Sequence, residues 1–175
     1  MSSLIMVNRT VIGADSMDAT ITGIDDTYDH YVLMAKNLGG GYNKSINFRV
    51  TKSGTPHTDA SDYEYSGRNI YNGGLRARNH AGNSLAQITN NWGENNDRNY
   101  AAAFFEMHLY NFAADDYDYV TTYGCAGLSN DSYGYPIPHT ACVVKDATAS
   151  DGIQLLRDSS GTTMAFMDIC LYGVK

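Results

Sequence analysis

Glutamate is nearly missing from this chain: Glu64, Glu94 and Glu106 are the only three in 175 residues. Helix-rich chains draw heavily on Glu, Ala, Leu and Lys, so the shortage leans the reading towards strands and turns. Cysteine is as scarce. Cys125, Cys142 and Cys170 are odd in number and widely spaced, with no CxxC, which speaks against a disulfide framework or a structural zinc site. Cys142 and Cys170 sit in apolar, strand-like runs, where a thiol serves as a small core residue. Folding in a reducing cytoplasm fits that usage.

Long apolar runs and a charged-then-apolar leader are also lacking. Neither a membrane span nor secretion by signal peptide is therefore expected. Basic charge is thin, with 12 Lys and Arg against 19 Asp and Glu and a formal net charge of −7. Arg68, Arg76 and Arg78 are the only basic cluster. A nucleic-acid surface needs far more clustered positive charge.

Tyrosine (14) and glycine (17) are plentiful, and 43% of residues are hydrophobic against 18% charged. That balance belongs to a globular protein. The length suits one well-buried core, so a single domain over 1–175 is expected, with a short N-terminal arm over about 1–20. Within that arm Leu4-Ile5-Met6-Val7 reads as an edge strand or as a tether onto a partner.

From Ala101 to Phe112 the side chains alternate. Phe105, Met107 and Leu109 fall on one face, with Glu106, His108 and Tyr110 on the other. A period of two marks a strand with one buried face, because successive side chains of a pleated strand point to opposite sides. Ile46–Val50, Tyr117–Tyr123 and Met167–Tyr172 repeat the pattern. Tyr31–Leu38 is apolar on both faces, as in a strand central to a sheet. Its nearness to Ile46–Val50 across Gly39-Gly40-Gly41 predicts an antiparallel hairpin. Ser53–Asn99 is poorly legible, with short strands expected at Asp62–Tyr65 and Leu85–Ile88. About nine to eleven short strands, with turn signals every 8–12 residues and no βαβ alternation, predict an all-β fold. The expected architecture is an antiparallel β-sandwich, jelly-roll-like.

Candidate chemistry is sparse. Asp25, Asp26 and Asp29 have the oxygen chemistry of a calcium loop without EF-hand spacing. They read as turn aspartates capping backbone donors, as do Asp115, Asp116 and Asp118. Glu106 and His108 share a strand face and could form an acid–base pair, but such neighbours usually make a polar surface or a subunit contact. No G-x-S-x-G supports a hydrolase triad, and nothing pairs two carboxylates for polysaccharide cleavage. Gly39-Gly40-Gly41 lacks the following Lys and helix of a phosphate loop. No catalytic, cofactor or metal residue is assigned. Trp92, Tyr133 and Tyr135 lie in polar loops where aromatic rings can anchor a protein interface or stack on a sugar, and they are the candidate partner- or receptor-binding residues.

Four segments carry a resemblance. They are Gly23-Ile-Asp-Asp-Thr-Tyr-Asp-His-Tyr31; Phe48-Arg-Val-Thr-Lys-Ser-Gly-Thr-Pro56 with Ser61-Asp-Tyr63; Met107-His-Leu-Tyr-Asn-Phe112; and Leu171-Tyr-Gly-Val-Lys175. In that order the chain resembles tailed-bacteriophage virion proteins, marine or cyanophage-like, described as tail-fibre, fibre-tip or head-decoration components. It departs from them in its Tyr-rich stretch from Tyr117 to Tyr135. The resemblance implies a non-enzymatic virion structural protein, oligomeric, assembled in the host cytoplasm. Its partners would be other copies of itself and other virion proteins of capsid or tail, with a host-surface glycan as a further candidate. A capsid decoration or knob protein fits best. The alternatives are a tail-fibre or fibre-tip receptor binder, a polysaccharide depolymerase tip, and a carbohydrate-binding module outside any virion.

Overall fold

Side-chain alternation organises the molecule. The computed structural model describes residues 3–12, 16, 18–36, 44–71, 74–92, 104–125, 137–157 and 167–175. In it Phe105, Met107 and Leu109 are fully buried, while Glu106 and His108 stay half-buried on the opposite face. Gly39–Gly41, the polar stretch after Trp92, most of the Leu128–Pro138 loop and Ser159–Gly161 lie outside the described residues.

The chain is all-β and antiparallel. Its strands are β1 (Leu4–Ile12), β2 (Asp18–Thr22), β3 (His30–Lys36), β4 (Lys44–Lys52), β5 (Thr55–Pro56), β6 (Tyr63–Tyr71), β7 (Gly74–Asn83), β8 (Ala86–Trp92), β9 (Phe104–Tyr110), β10 (Asp118–Cys125), β11 (Ile137–Val144), β12 (Gly152–Arg157) and β13 (Met167–Val174). These thirteen among the described residues exceed the nine to eleven expected. Eight form one sheet in the order β1-β13-β3-β9-β10-β11-β6-β7. The second sheet runs β2-β12-β4-β5, with β8 also on β4.

The two sheets form a sandwich. Leu33, Met107, Ile169 and Tyr63 from the large sheet share one core with Phe48, Val50, Ile88 and Leu155 from the small one. Tyr63 ties the layers together. Its buried hydroxyl accepts from Val50 N at 3.1 Å and donates to His57 O at 3.0 Å. A buried phenol without partners would be costly, and this one satisfies both its donor and its acceptor.

Three expectations need correction. β3 and β4 are not a hairpin: β3 pairs β13 and β9 in the large sheet, whereas β4 pairs β12, β5 and β8 in the small one. Both are well buried, and alternation records which face is buried without saying which strand lies alongside. Ser53–Asn99 holds nine-, ten- and seven-residue strands where two short ones were expected. β7, with its Gly, Asn and Arg, has poor strand propensity and is held by its register along β6. Asp118 is not a turn residue, since it points into the core and is fully buried.

The described residues of the first twenty are held by both sheets. β1 is an edge strand on β13, and β2 pairs β12. Arg9 makes a two-pronged ion pair with Asp168 of β13 at 2.9 and 3.0 Å, and Lys36 of β3 reaches the same carboxylate at 3.2 Å. The Arg9 hydrogen bonds hold the Asp168 carboxyl down at about 2. Segments that carry the resemblance also touch one another. The Tyr28 ring lies on Gly173 so closely that a Cβ there would sit 2.3 Å from it, so any larger residue would push the ring away.

Candidate functional site

The outer face of the large sheet concentrates aromatic and imidazole rings. Because Phe105, Met107 and Leu109 turn inward, Glu106, His108 and Tyr110 turn outward. The neighbouring β10 does the reverse of what a hydrophobic count suggests. It buries Asp118, Val120 and Thr122 and leaves Tyr119 and Tyr123 47% and 56% exposed.

Strand register aligns these side chains in rows. His30, Tyr110 and Tyr119 oppose one another across β3, β9 and β10. Glu106, Tyr123 and His139 do so across β9, β10 and β11. The His30 ring stacks on Tyr110 at 4.5 Å between centroids and 13° between planes, and on His108 at 5.1 Å. Tyr123 meets His139 edge-on at 6.5 Å. Cross-strand aromatic pairs of this kind stabilise a sheet face and keep the rings oriented.

His108 is the hub. Its Nε2 lies 2.5 Å from Glu106 Oε1 and its Nδ1 lies 3.0 Å from His30 Nε2. Nε2 therefore carries the proton donated to Glu106, and both ring nitrogens are occupied. Burial, with His108 beside it, lowers the basicity of His30.

Beside Tyr119 the face opens into a groove of about 530 Å³, lined among others by Glu64, Ser66, His80, Ala141 and Val143. One side is thus a flat ring-bearing surface and the other a shallow, mostly apolar trough. Together they suit a protein surface or the flat face of a sugar, where Tyr provides large contact area with few rotatable bonds.

The sequence-predicted residues fare differently. Trp92 closes β8 opposite Lys44, at a strand end and not in a loop. Tyr133 and Tyr135 lie outside the described residues. Asp25 is a capping aspartate: its Oδ1 accepts from Thr27 N at 2.9 Å and lies 2.9 Å from the Tyr31 hydroxyl. The Thr27 backbone bond lowers its carboxyl. Asp116 caps Tyr117 N in the same way at 2.7 Å. Sequence reading paired Glu106 with His108 but missed His30, whose place beside them depends on β3 lying next to β9. It also missed Tyr119 and Tyr123, because alternation alone does not say that the tyrosines are the side facing out.

No protein-family model matches the chain. No curated protein matches it. One solved structure, of infectious bursal disease virus Gt strain, is similar at 9% identity over 99% of this chain and 42% of its own, with a TM-score of 0.15. At that score the likeness carries no argument, and the chain spans under half the neighbour's length.

Proposed function

We propose that this chain is a virion structural protein of a tailed bacteriophage, a capsid decoration or knob protein that acts by assembly and surface binding. The observation that carries the reading is the outward ring face of β3, β9, β10 and β11. Strands that bury Asp118 and Thr122 while exposing Tyr119 and Tyr123 hold aromatic area at the surface at the expense of the core. Tyr-rich faces of this kind are typical of protein contacts. The occupied ring nitrogens of His108 favour binding over acid–base catalysis. The resemblance of the four segments supplies the virion, and repeated copies on a particle would turn weak contacts into avidity.

Cryo-electron microscopy of purified particles tests this directly. Density on the icosahedral shell, with Tyr119 and Tyr123 against a neighbour, is the expected result. Density on the tail would replace decoration with a fibre-tip role and make the same face a receptor candidate. Absence from the particle would overturn the proposal.

A further inference from the structure

Away from the ring face, two connections distant in sequence, β5–β6 and β11–β12, converge on one point. His57 follows β5, Asp62 precedes β6 and Asp146 follows β11. His57 Nε2 lies 2.7 Å from Asp62 Oδ2 and 3.6 Å from Asp146 Oδ2, and the three atoms all fall within 4.8 Å of one another. Ligands about 2.0 Å from a tetrahedral zinc ion stand roughly 3.3 Å apart. The two nitrogen–oxygen separations bracket that spacing, so small side-chain shifts would bring all three atoms into range.

The donors are also held in place. His57 N donates to Val50 O at 2.9 Å, and its carbonyl accepts from the buried Tyr63 hydroxyl at 3.0 Å. The Asp62 carbonyl accepts from Lys145 N at 2.9 Å. Asp146 Oδ1 accepts from Thr148 N at 2.9 Å, which leaves Oδ2 to face the imidazole. The three side chains are 17%, 21% and 24% exposed, so the cluster is sheltered and still open to solvent. Pre-set ligands with supporting bonds are what a metal site needs.

Lys52 is the competitor. Its Nζ lies 3.3 Å from Asp146 Oδ2 and also donates to Thr148 O. The ammonium already answers part of the negative charge, and an entering cation would displace it from Asp146 while its bond to Thr148 stays.

We propose that His57 Nε2, Asp62 Oδ2 and Asp146 Oδ2 bind a borderline divalent cation of the zinc class, with water completing its shell. One imidazole and two carboxylates suit zinc better than calcium, which takes six to eight oxygen ligands. The bound ion would tie the β5–β6 loop to the β11–β12 connection.

The test is titration of chelator-stripped full chain with Zn²⁺ by calorimetry and with Co²⁺ by visible absorption. One equivalent should bind, with the d–d bands of a four-coordinate Co²⁺ site and a Tm rise of roughly 5–10 °C at saturating zinc. His57→Gln and Asp146→Asn should each weaken binding at least tenfold. The double variant His30→Gln/His108→Gln should leave it unchanged. Asp146→Asn keeps the acceptor for Thr148 N and so preserves the fold, and circular dichroism checks both variants. Lack of stoichiometric binding, full affinity in a folded Asp146→Asn protein, or loss only in the His30/His108 variant would overturn the site.

Discussion

β9 and β10 lie side by side in register, Tyr110 opposite Tyr119 and Met107 opposite Thr122, yet they divide their residues between core and solvent in contrary ways. β9 buries Phe105, Met107 and Leu109 and shows an acid and a histidine. β10 buries a carboxyl group and two hydroxyl-bearing or small side chains and shows its tyrosines. The first strand serves stability and the second gives some of it up. An exposed Tyr is ordinary by itself, but an exposed Tyr whose in-facing neighbour is Asp is the feature on which the proposed contact face rests.

Substitutions should separate the two strands. Leu109→Ala in β9 is expected to lose about 2–5 kcal/mol by chemical denaturation, since a fully buried side chain leaves a cavity. A loss under about 1 kcal/mol would mean that β9 does not anchor the core.

Asp118→Asn should act in the opposite direction. Ser150 Oγ donates to Asp118 Oδ2 at 2.6 Å, while Oδ1 has no partner among the described residues. Burial pushes this carboxyl up to about 7. The unfolded chain releases the proton near pH 3.9, so between about pH 4 and 7 only the folded state still holds it. Wild-type stability should therefore fall as pH rises through that window and then level off. The Asn variant should be more stable by about 1–3 kcal/mol at pH 8 and should lose the advantage at pH 4. Equal stability of the two proteins at pH 8 would show that Asp118 is not strained by ionisation.

The histidine pair carries the contrary dependence on a smaller scale. His30 is lowered below its ordinary value by burial and by His108, so protonation favours the unfolded chain. Its contribution is intact above about pH 6.5 and is lost as pH falls through the folded value. His30→Gln should flatten the acid side of the stability profile by less than the Asp118 effect, read from the same denaturation series. A steeper acid limb in the variant would contradict this. Smallest of all, Tyr119→Ser with Tyr123→Ser should change stability by no more than about 1 kcal/mol and, under the proposed virion role, should cut particle association at least tenfold. Unchanged association would move the contact surface elsewhere.

Strands were legible where one face is apolar and the other polar. Phe105 to Leu109 and Met167 to Leu171 announce their buried sides, and the all-β class follows from many such runs. Pairing was not legible. Nothing between Lys36 and Lys44 says that the chain passes from one sheet to the other, because a short connection serves a hairpin and a crossing alike. β7 hid for another reason, since Asn79, His80 and Gly82 acquire strand geometry from their neighbours. The ring face was half visible, as Glu106 with His108. Its larger part comes from register, which sets His30 and Tyr119 beside them. The His57, Asp62 and Asp146 cluster needed two loops far apart in sequence to meet, and its members look like ordinary turn residues in sequence.

The ion pair between Arg9 and Asp168 joins residues 159 positions apart. β1 therefore leaves the ribosome long before β13, the strand that sits between it and β3. At 5–20 residues per second that wait is roughly 8–30 s. Throughout it β1 lacks β13, the strand it is hydrogen-bonded to in the folded sheet, and an unpaired strand edge is open to capture by another chain. β1 can take its place in the large sheet only after β13 emerges, so that pairing is a long-range one. Limited proteolysis of stalled nascent chains should find β1 cleavable until β13 is out and protected afterwards; early protection would mean that β1 first rests on another strand.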